Sequence, residues 1–257
     1  MSHRSPCRLL DQVGRDVDDG ALRGRVALLP TGSVEYHGPH APVGTDTFIA
    51  RELAERVGAR RPRLVVLPEL SYAPCRVETR RHAGTLAIAP NVVIALLEEL
   101  FRSLFRAGFA GVVVLNAHVE NAVPAGLAAD AVTDEFPEAF VAVVDWWDTL
   151  PADETRELAG FSENGGHGHG AAVELSVTQA IVPDLVRPEL AQDVEEGGGP
   201  PGNALELVAP PHAHVPPHGY HGRASEIDRE HGRVLLDLAA DRVVASLDAL
   251  LAHLAPD

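Results

Sequence analysis

Apolar residues along this chain fall into two alternating kinds of stretch. Residues 26–30, 64–68, 111–116 and 140–144 are short runs, apolar almost without interruption. Such runs are too short for a helix and present no polar side to water. They read as strands buried on both faces, the pattern of a parallel sheet. Between them the apolar residues recur at helical spacing. Residues 47–57 form one such stretch, with Gly58 as its C′ residue. Asn91 reads as the N-cap of a second helix. In that helix Leu96, Leu97, Leu100, Leu104 and Phe105 share a sheet-covering face, and Gly108 ends it. Residues 123–132 read as a third, with Pro124 tolerated in the first turn. Residues 171–181 and 225–254 complete the set. The last carries Ile227, Val234, Leu235, Leu238, Val243 and Leu247 as a one-sided stripe.

Strands alternating with helices, joined by right-handed crossovers, predict an α/β protein. The expected architecture is a three-layer α/β/α arrangement around a mostly parallel central sheet. Ligands of such folds sit outside the carboxyl ends of the strands. Residues 1–23 show no clear period and read as a lead-in segment or edge helix. Residues 69–90 form a connection long enough to suggest function. Residues 193–222 hold six of the twenty prolines, together with His212, His214, His218 and His221. They read as an irregular lid or interface arm, the histidines being solvated or part of an interface. With no internal repeat and no linker, residues 1–257 read as a single domain.

Composition narrows the classes of partner. A hydrophobic content of 46% supports a sizeable core, and 37 acidic against 21 basic residues give a formal net charge of −16. That excess argues against nucleic acid or an anionic membrane, both of which need a basic surface. No apolar run reaches the length of a membrane span, and the N-terminus lacks a signal-peptide core. Two cysteines, Cys7 and Cys75, fit a reducing compartment, and the expectation is a cytoplasmic protein. Neither cysteine has metal-type spacing. Cys75 reads as a small buried side chain, since no partnered base is evident.

The thirteen histidines matter by position. Glu35 and His37 are separated by one residue, so in extended backbone both point the same way, and His118 and Glu120 repeat the spacing. Asp46 opens a helix, where the positive end of the dipole favours its carboxylate. An isolated Glu-x-His is usually surface decoration. Here the two pairs and Asp46 all fall at predicted strand ends, and together they read as metal ligands. Mixed imidazole and carboxylate donors suit Zn²⁺ or Mn²⁺, and the lack of nearby cysteine argues against a structural zinc. Glu35, His37, Asp46, His118 and Glu120 are too many for one tetrahedral site. They match two metals sharing a bridging carboxylate, roughly 3.5–4 Å apart in such sites. His40 reads as supporting structure rather than a ligand, and Trp146 as core packing.

Several stretches resemble the creatininase (creatinine amidohydrolase) family. They are residues 31–40 (TGSVEYHGPH) continued by Gly44-Thr45-Asp46, Ala83-Gly84-Thr85, residues 116–121 (NAHVEN), Trp147-Asp148, residues 169–176 (HGAAVELS) and Gly222-Arg223-Ala224-Ser225. They run in order through most of residues 25–250. The resemblance implies a creatininase-like fold and a binuclear hydrolase holding two divalent ions, Zn, Mn or both. Glu35, Asp46 and His118 would hold one ion, and His37, Asp46 and Glu120 the other, with Asp46 bridging. His169 would be the general acid/base, with His167 its competitor. Glu174 would orient the site or complete a metal shell. Trp147 would form a mobile wall over the substrate. The implied reaction is attack of a metal-bound hydroxide on a non-peptide C–N bond of a small, cyclic amide. The resemblance also implies a homo-oligomer, often a hexamer.

The departures from the family pattern point away from creatinine as substrate. Val119 replaces a tyrosine, and Gly165 and Gly166 replace a Trp-Asp pair. The stretch before Gly84 carries Arg76, Arg80, Arg81 and His82 in place of glycines. Val119, Arg81 and His82 are therefore expected to join Trp147 in shaping the substrate site, the arginines meeting an anionic group. Within the family the alternatives are a peptidase or a formamide deformylase. Outside it stands a catalytically silent metal-binding scaffold.

Overall fold

The computed structural model describes residues 5–162, 164, 166–194 and 217–254. Its sheet has four strands: β1 (Val26–Thr31), β2 (Leu64–Val66), β3 (Gly111–Asn116) and β4 (Phe140–Asp145). They lie in the order β2-β1-β3-β4, and each pairing is parallel. Their register sets Thr31, Asn116 and Asp145 in one row at the carboxyl edge. Side chains tie that row together. Thr31 Oγ1 donates to Asn116 Oδ1 at 3.1 Å, and Asn116 Nδ2 donates to Asp145 Oδ1 at 2.7 Å.

Helices cover both faces. The longer ones are α2 (Thr45–Arg60), α4 (Pro90–Arg106), α5 (Ala122–Thr133), α7 (Ala172–Ile181) and α8 (Arg229–His253). The shorter are α1 (Gly14–Asp18), α3 (Val77–Arg80) and α6 (Ala152–Ala159). Leu28, Val113 and Leu115 pack beneath α2, α7 and α8, with Ile49, Val177 and Leu235. Ala27, Leu29, Val112 and Val114 face the other way, against Leu97, Phe101 and Val132 of α4 and α5. Alternate strand residues thus feed opposite cores, as a two-residue period demands. The result is the three-layer α/β/α arrangement. No helix among the described residues is long and apolar enough to cross a membrane.

Some boundaries differ from expectation. Gly58 lies inside α2 rather than beyond it; a Cβ there would stand 2.6 Å from Val66 Cγ2, so glycine allows close packing rather than capping. α4 begins at Pro90 with Ala89 as N-cap, the proline ring supplying the helical φ that Asn91 was expected to prepare. Leu96 and Val234 are exposed, off the buried faces. α8 starts at Arg229 and is capped by Asp228, whose Oδ1 accepts from the His231 N–H at 2.9 Å. Residues Ala224–Glu226 form a separate 3-10 turn. α6, unanticipated, lies between Pro151 and Gly160, the latter at φ +67°. α8 crosses α7 so closely that a Cβ on Gly232 would lie 1.9 Å from the Ser176 carbonyl oxygen.

The chain after β2 does not leave the sheet edge at once. Leu67 N–H donates to Leu28 O and Leu70 N–H to Pro30 O, while Gly32 N–H donates back to Leu70 O, each at 2.9 Å. Residues 67–75 therefore run beside β1 to its carboxyl end.

Candidate active site

Three loops meet at the carboxyl edge of the sheet. The loop after β1 carries Glu35 and His37 and closes when Glu35 N–H donates to Val43 O at 2.8 Å. It then enters α2, whose second residue is Asp46. The loop after β3 carries His118, whose N–H donates to Asn116 Oδ1 at 3.1 Å. Asn121 Nδ2 donates to Gly32 O at 3.0 Å and ties this loop to the first. The third loop carries His169 and leads into α7, whose first turn holds Glu174.

Backbone carbonyls orient all three histidines. His37 Nδ1 lies 2.9 Å from Glu35 O, His118 Nε2 lies 2.7 Å from Pro74 O, and His169 Nε2 lies 2.9 Å from Tyr36 O. A carbonyl accepts only, so each of these nitrogens carries hydrogen and the opposite one is turned inward, where it can offer a lone pair to a cation that displaces its proton. This is how metal-binding imidazoles are usually held. His37 Nε2 stands 2.9 Å from Asp46 Oδ1, and His118 Nδ1 stands 2.9 Å from Asp46 Oδ2. Asp46 thus offers one oxygen to each histidine. Glu35 Oε2 is 3.2 Å from His118 Nδ1 and 3.9 Å from His169 Nδ1. Glu174 Oε2 is 3.6 Å from His37 Nε2 and accepts from the Gly170 N–H at 2.7 Å. Thr79 Oγ1 donates to Glu35 Oε1, and Ser33 Oγ donates to Asp46 Oδ2 at 2.7 Å.

The electrostatics show what such a cluster lacks. Glu35, His37, Asp46 and His118 are all buried. Burial opposes charge on each, yet the opposed partners win. Asp46 and Glu35 are held below the carboxylate range by the histidines. His118 is held well above the histidine range by Asp46 and its neighbours. His37 is raised to about 10 by Asp46 and Glu174 against its burial. Burial and neighbouring carboxylates push Glu174 up to about 7, and burial beside His37 pushes His169 down to about 4. Protons on the imidazoles thus offset the buried negative charge. Even so, Glu35 Oε2 and His37 Nε2 are buried with ionic neighbours but no well-formed hydrogen bond. A donor set of imidazoles and carboxylates with buried, unpartnered atoms facing one another fits divalent cations. Glu35, His37 and His169 offer one convergent set of ligand atoms, and His37, Asp46 and Glu174 another.

The site opens into a cavity of about 330 Å³. Trp147 and Val119 line it, as expected, and so does His167. Trp146 is buried in the core and also reaches the cavity wall. Glu120 is not where expected. It sits at the far edge of the His118 ring, with Oε2 3.2 Å from Nε2 while its other oxygen pairs with Arg76, so it does not converge with His37 and Asp46. Arg81 and His82 also lie off the wall. α3 turns Arg76 and Thr79 toward the cavity and leaves Arg80 and Arg81 exposed, while His82 stacks on Tyr36 with centroids 4.1 Å apart.

Other residues also differ from expectation. Glu78 and His221 reach the wall unannounced by any spacing. Cys75, assumed remote from any ligand, lies with Glu35 and His118 in a third convergent set. His40 is buried against the Tyr220 ring, with centroids 4.8 Å apart, and belongs to none of the sets. Gly166, at φ +75°, turns toward Phe161, where a Cβ would lie 2.8 Å from its ring. Gly165, His212, His214 and residues 195–216 lie outside the described residues.

Comparison with known proteins bears on this arrangement. The family model Creatininase, described as creatinine amidohydrolase, matches residues 14–247. The creatinine amidohydrolase of Pseudomonas putida is 26% identical over 239 residues, spanning 86% of this chain and 88% of that protein. The 3-dehydro-scyllo-inosose hydrolase of Thermotoga maritima is 28% identical over 173 residues, 66% of this chain and 55% of that one. A solved structure named Creatininase Mn superposes with a TM-score of 0.82 at 24% identity, covering 98% of this chain and 100% of that one.

Proposed function

This chain belongs to the creatininase family, and from that premise we propose that it is a binuclear metal-dependent amidohydrolase. Its substrate would be a small cyclic amide other than creatinine, cleaved at a non-peptide C–N bond. One observation carries the reading: the two carboxylate oxygens of Asp46 stand 2.9 Å from the inward-turned ring nitrogens of two different imidazoles. A bridging carboxylate has that geometry.

Glu35, Asp46 and His118 would hold one ion. His37 and Asp46 would hold the other, with Glu174 the carboxylate nearest to them. Two divalent ions there, zinc or manganese by donor type, would lower the pKa of a shared water toward about 7 and polarise the scissile carbonyl.

The rest falls to the chain's own groups. His169 is half-buried and kept neutral, with Nε2 tied to Tyr36 O and Nδ1 turned toward the cluster. Nδ1 takes the proton released as water attacks the carbonyl carbon and returns it to the leaving nitrogen as the C–N bond breaks. Glu35 Oε2, 3.9 Å from Nδ1, favours the imidazolium formed in between. Trp146 and Trp147 form an apolar wall that limits water around the ring.

The cavity volume suits a small molecule. Its walls support a substrate unlike creatinine. Val119, half-exposed, lines the cavity, and so do Arg76 and Glu120, which form an ion pair.

Metal analysis of the purified protein together with a panel of cyclic amides tests the reading. Two divalent ions per chain and ring opening of at least one amide are expected, and Asp46→Asn should lose both. Metal retained without turnover on any amide would favour the scaffold. An Asp46→Asn protein that keeps its metal and its activity would end the proposal.

A further inference from the structure

We propose that Cys75 is a ligand of the ion held by Glu35 and His118, making that position a mixed thiolate, imidazole and carboxylate site. The proposal rests on the two-metal reading above and adds a donor to it. Residues 67–75 run beside β1, and this path delivers two groups to His118 in succession. The Pro74 carbonyl takes the Nε2 hydrogen at 2.7 Å, and the next residue places its thiol within the donor cluster. One ligand atom each from Glu35, Cys75 and His118 lies within 4.8 Å of the others. Around a tetrahedral zinc, with bonds of about 2.3 Å to sulfur and about 2.0 Å to nitrogen or oxygen, donor atoms stand roughly 3.5 Å apart.

A second observation points the same way. Glu35 Oε2 is buried without a well-formed hydrogen bond although it stands 3.2 Å from His118 Nδ1. A carboxylate oxygen and a ring nitrogen directed at one point become a donor pair for a cation that displaces the imidazole proton. Cys75 is itself buried; its Sγ–H reaches Ala73 O only at 3.8 Å, and the thiol also stands within hydrogen-bond reach of the His118 ring. Cys7 is a useful contrast. It touches Arg25 and Gln12 and belongs to no convergent donor set among the described residues. A soft sulfur donor favours zinc or cobalt over manganese at this position, whereas His37, Asp46 and Glu174 form a harder set.

Cobalt(II) substitution tests the assignment without recourse to activity. Visible d–d bands report cobalt in the protein whatever its donors, and a near-ultraviolet sulfur-to-cobalt charge-transfer band reports thiolate ligation alone. The expectation is both signals in wild type and in Cys7→Ser, with loss of the charge-transfer band and retention of the d–d bands in Cys75→Ser. Wild-type d–d bands without charge transfer would overturn the Cys75 ligand and leave the two-metal reading standing. A charge-transfer band that survives Cys75→Ser would likewise overturn it. Failure of wild type to take up cobalt would overturn both.

Discussion

Ser33 Oγ donates to Asp46 Oδ2 at 2.7 Å, and both residues are shut away from solvent. That oxygen also faces His118. The hydroxyl therefore fixes the rotation of the carboxylate on which both donor sets depend. Ser33→Ala should weaken metal affinity by about 10- to 100-fold, the usual range for such supporting bonds, with little change in the fold. Competition against a chelator measures it, and an unaltered affinity would show that α2 alone orients Asp46.

Glu120 and Glu174 divide the remaining carboxylate work. Glu174 stands by His37, while Glu120 is paired with Arg76 beyond the His118 ring. Glu174→Gln should lower the metal content from two ions toward one. Glu120→Gln should keep both ions. Metal counts on the two purified variants decide it, and the reverse pattern would assign Glu120 to the second ion.

Gly232→Ala should destabilise the protein, against the intrinsic preference of helices for alanine by about 1 kcal/mol. The added methyl would stand 1.9 Å from the Ser176 carbonyl oxygen, a backbone atom in α7. Forcing the helices apart costs about 1–3 kcal/mol. Denaturant unfolding should show a lower midpoint. Because α7 carries Glu174, metal affinity should fall as well.

Acid should weaken the metal-free protein through His40. Burial holds its imidazole neutral and lowers its pKa to about 4, and neither ring nitrogen has a hydrogen-bond partner. Unfolding returns it to the ordinary value near 6.5, so between those values the unfolded chain binds the extra proton. Stability then falls with pH across that window, by up to about 1.4 kcal/mol per unit. His40→Phe should flatten the slope there. His37 has the opposite sign. Raised to about 10, it stabilises fully below 6.5 and loses its contribution as pH rises toward 10. Unfolding curves collected across both windows separate the two effects.

The sheet was legible because residues 26–30, 111–115 and 140–144 are apolar without a break; β1 and β3 are buried throughout as that pattern demands, whereas β4, at the sheet edge, is only half-buried. Glu35, His37, Asp46 and His118 were legible because their spacing falls at strand ends. The cavity wall was not. Whether Arg76 or Arg81 faces inward depends on one short turn, α3, which hydrophobic periodicity does not register. Cys75 reaches His118 through the path of residues 67–75 along β1, a tertiary relationship with no local signature. Gly58 looked like a helix end because a glycine that stops a helix and one that lets a helix approach a strand are the same letter.

The oxygens that anchor His37, His118 and His169 belong to the main chain of Glu35, Pro74 and Tyr36. No side-chain replacement at Tyr36 or Pro74 deletes such an acceptor. A mutational scan should find these positions tolerant wherever the new residue accepts the same backbone path. Insertions and deletions nearby should be severe, because they move the oxygen itself. Drift in this lineage would then rewrite the cavity wall freely while the loop lengths between β1, β2 and α3 stayed constant.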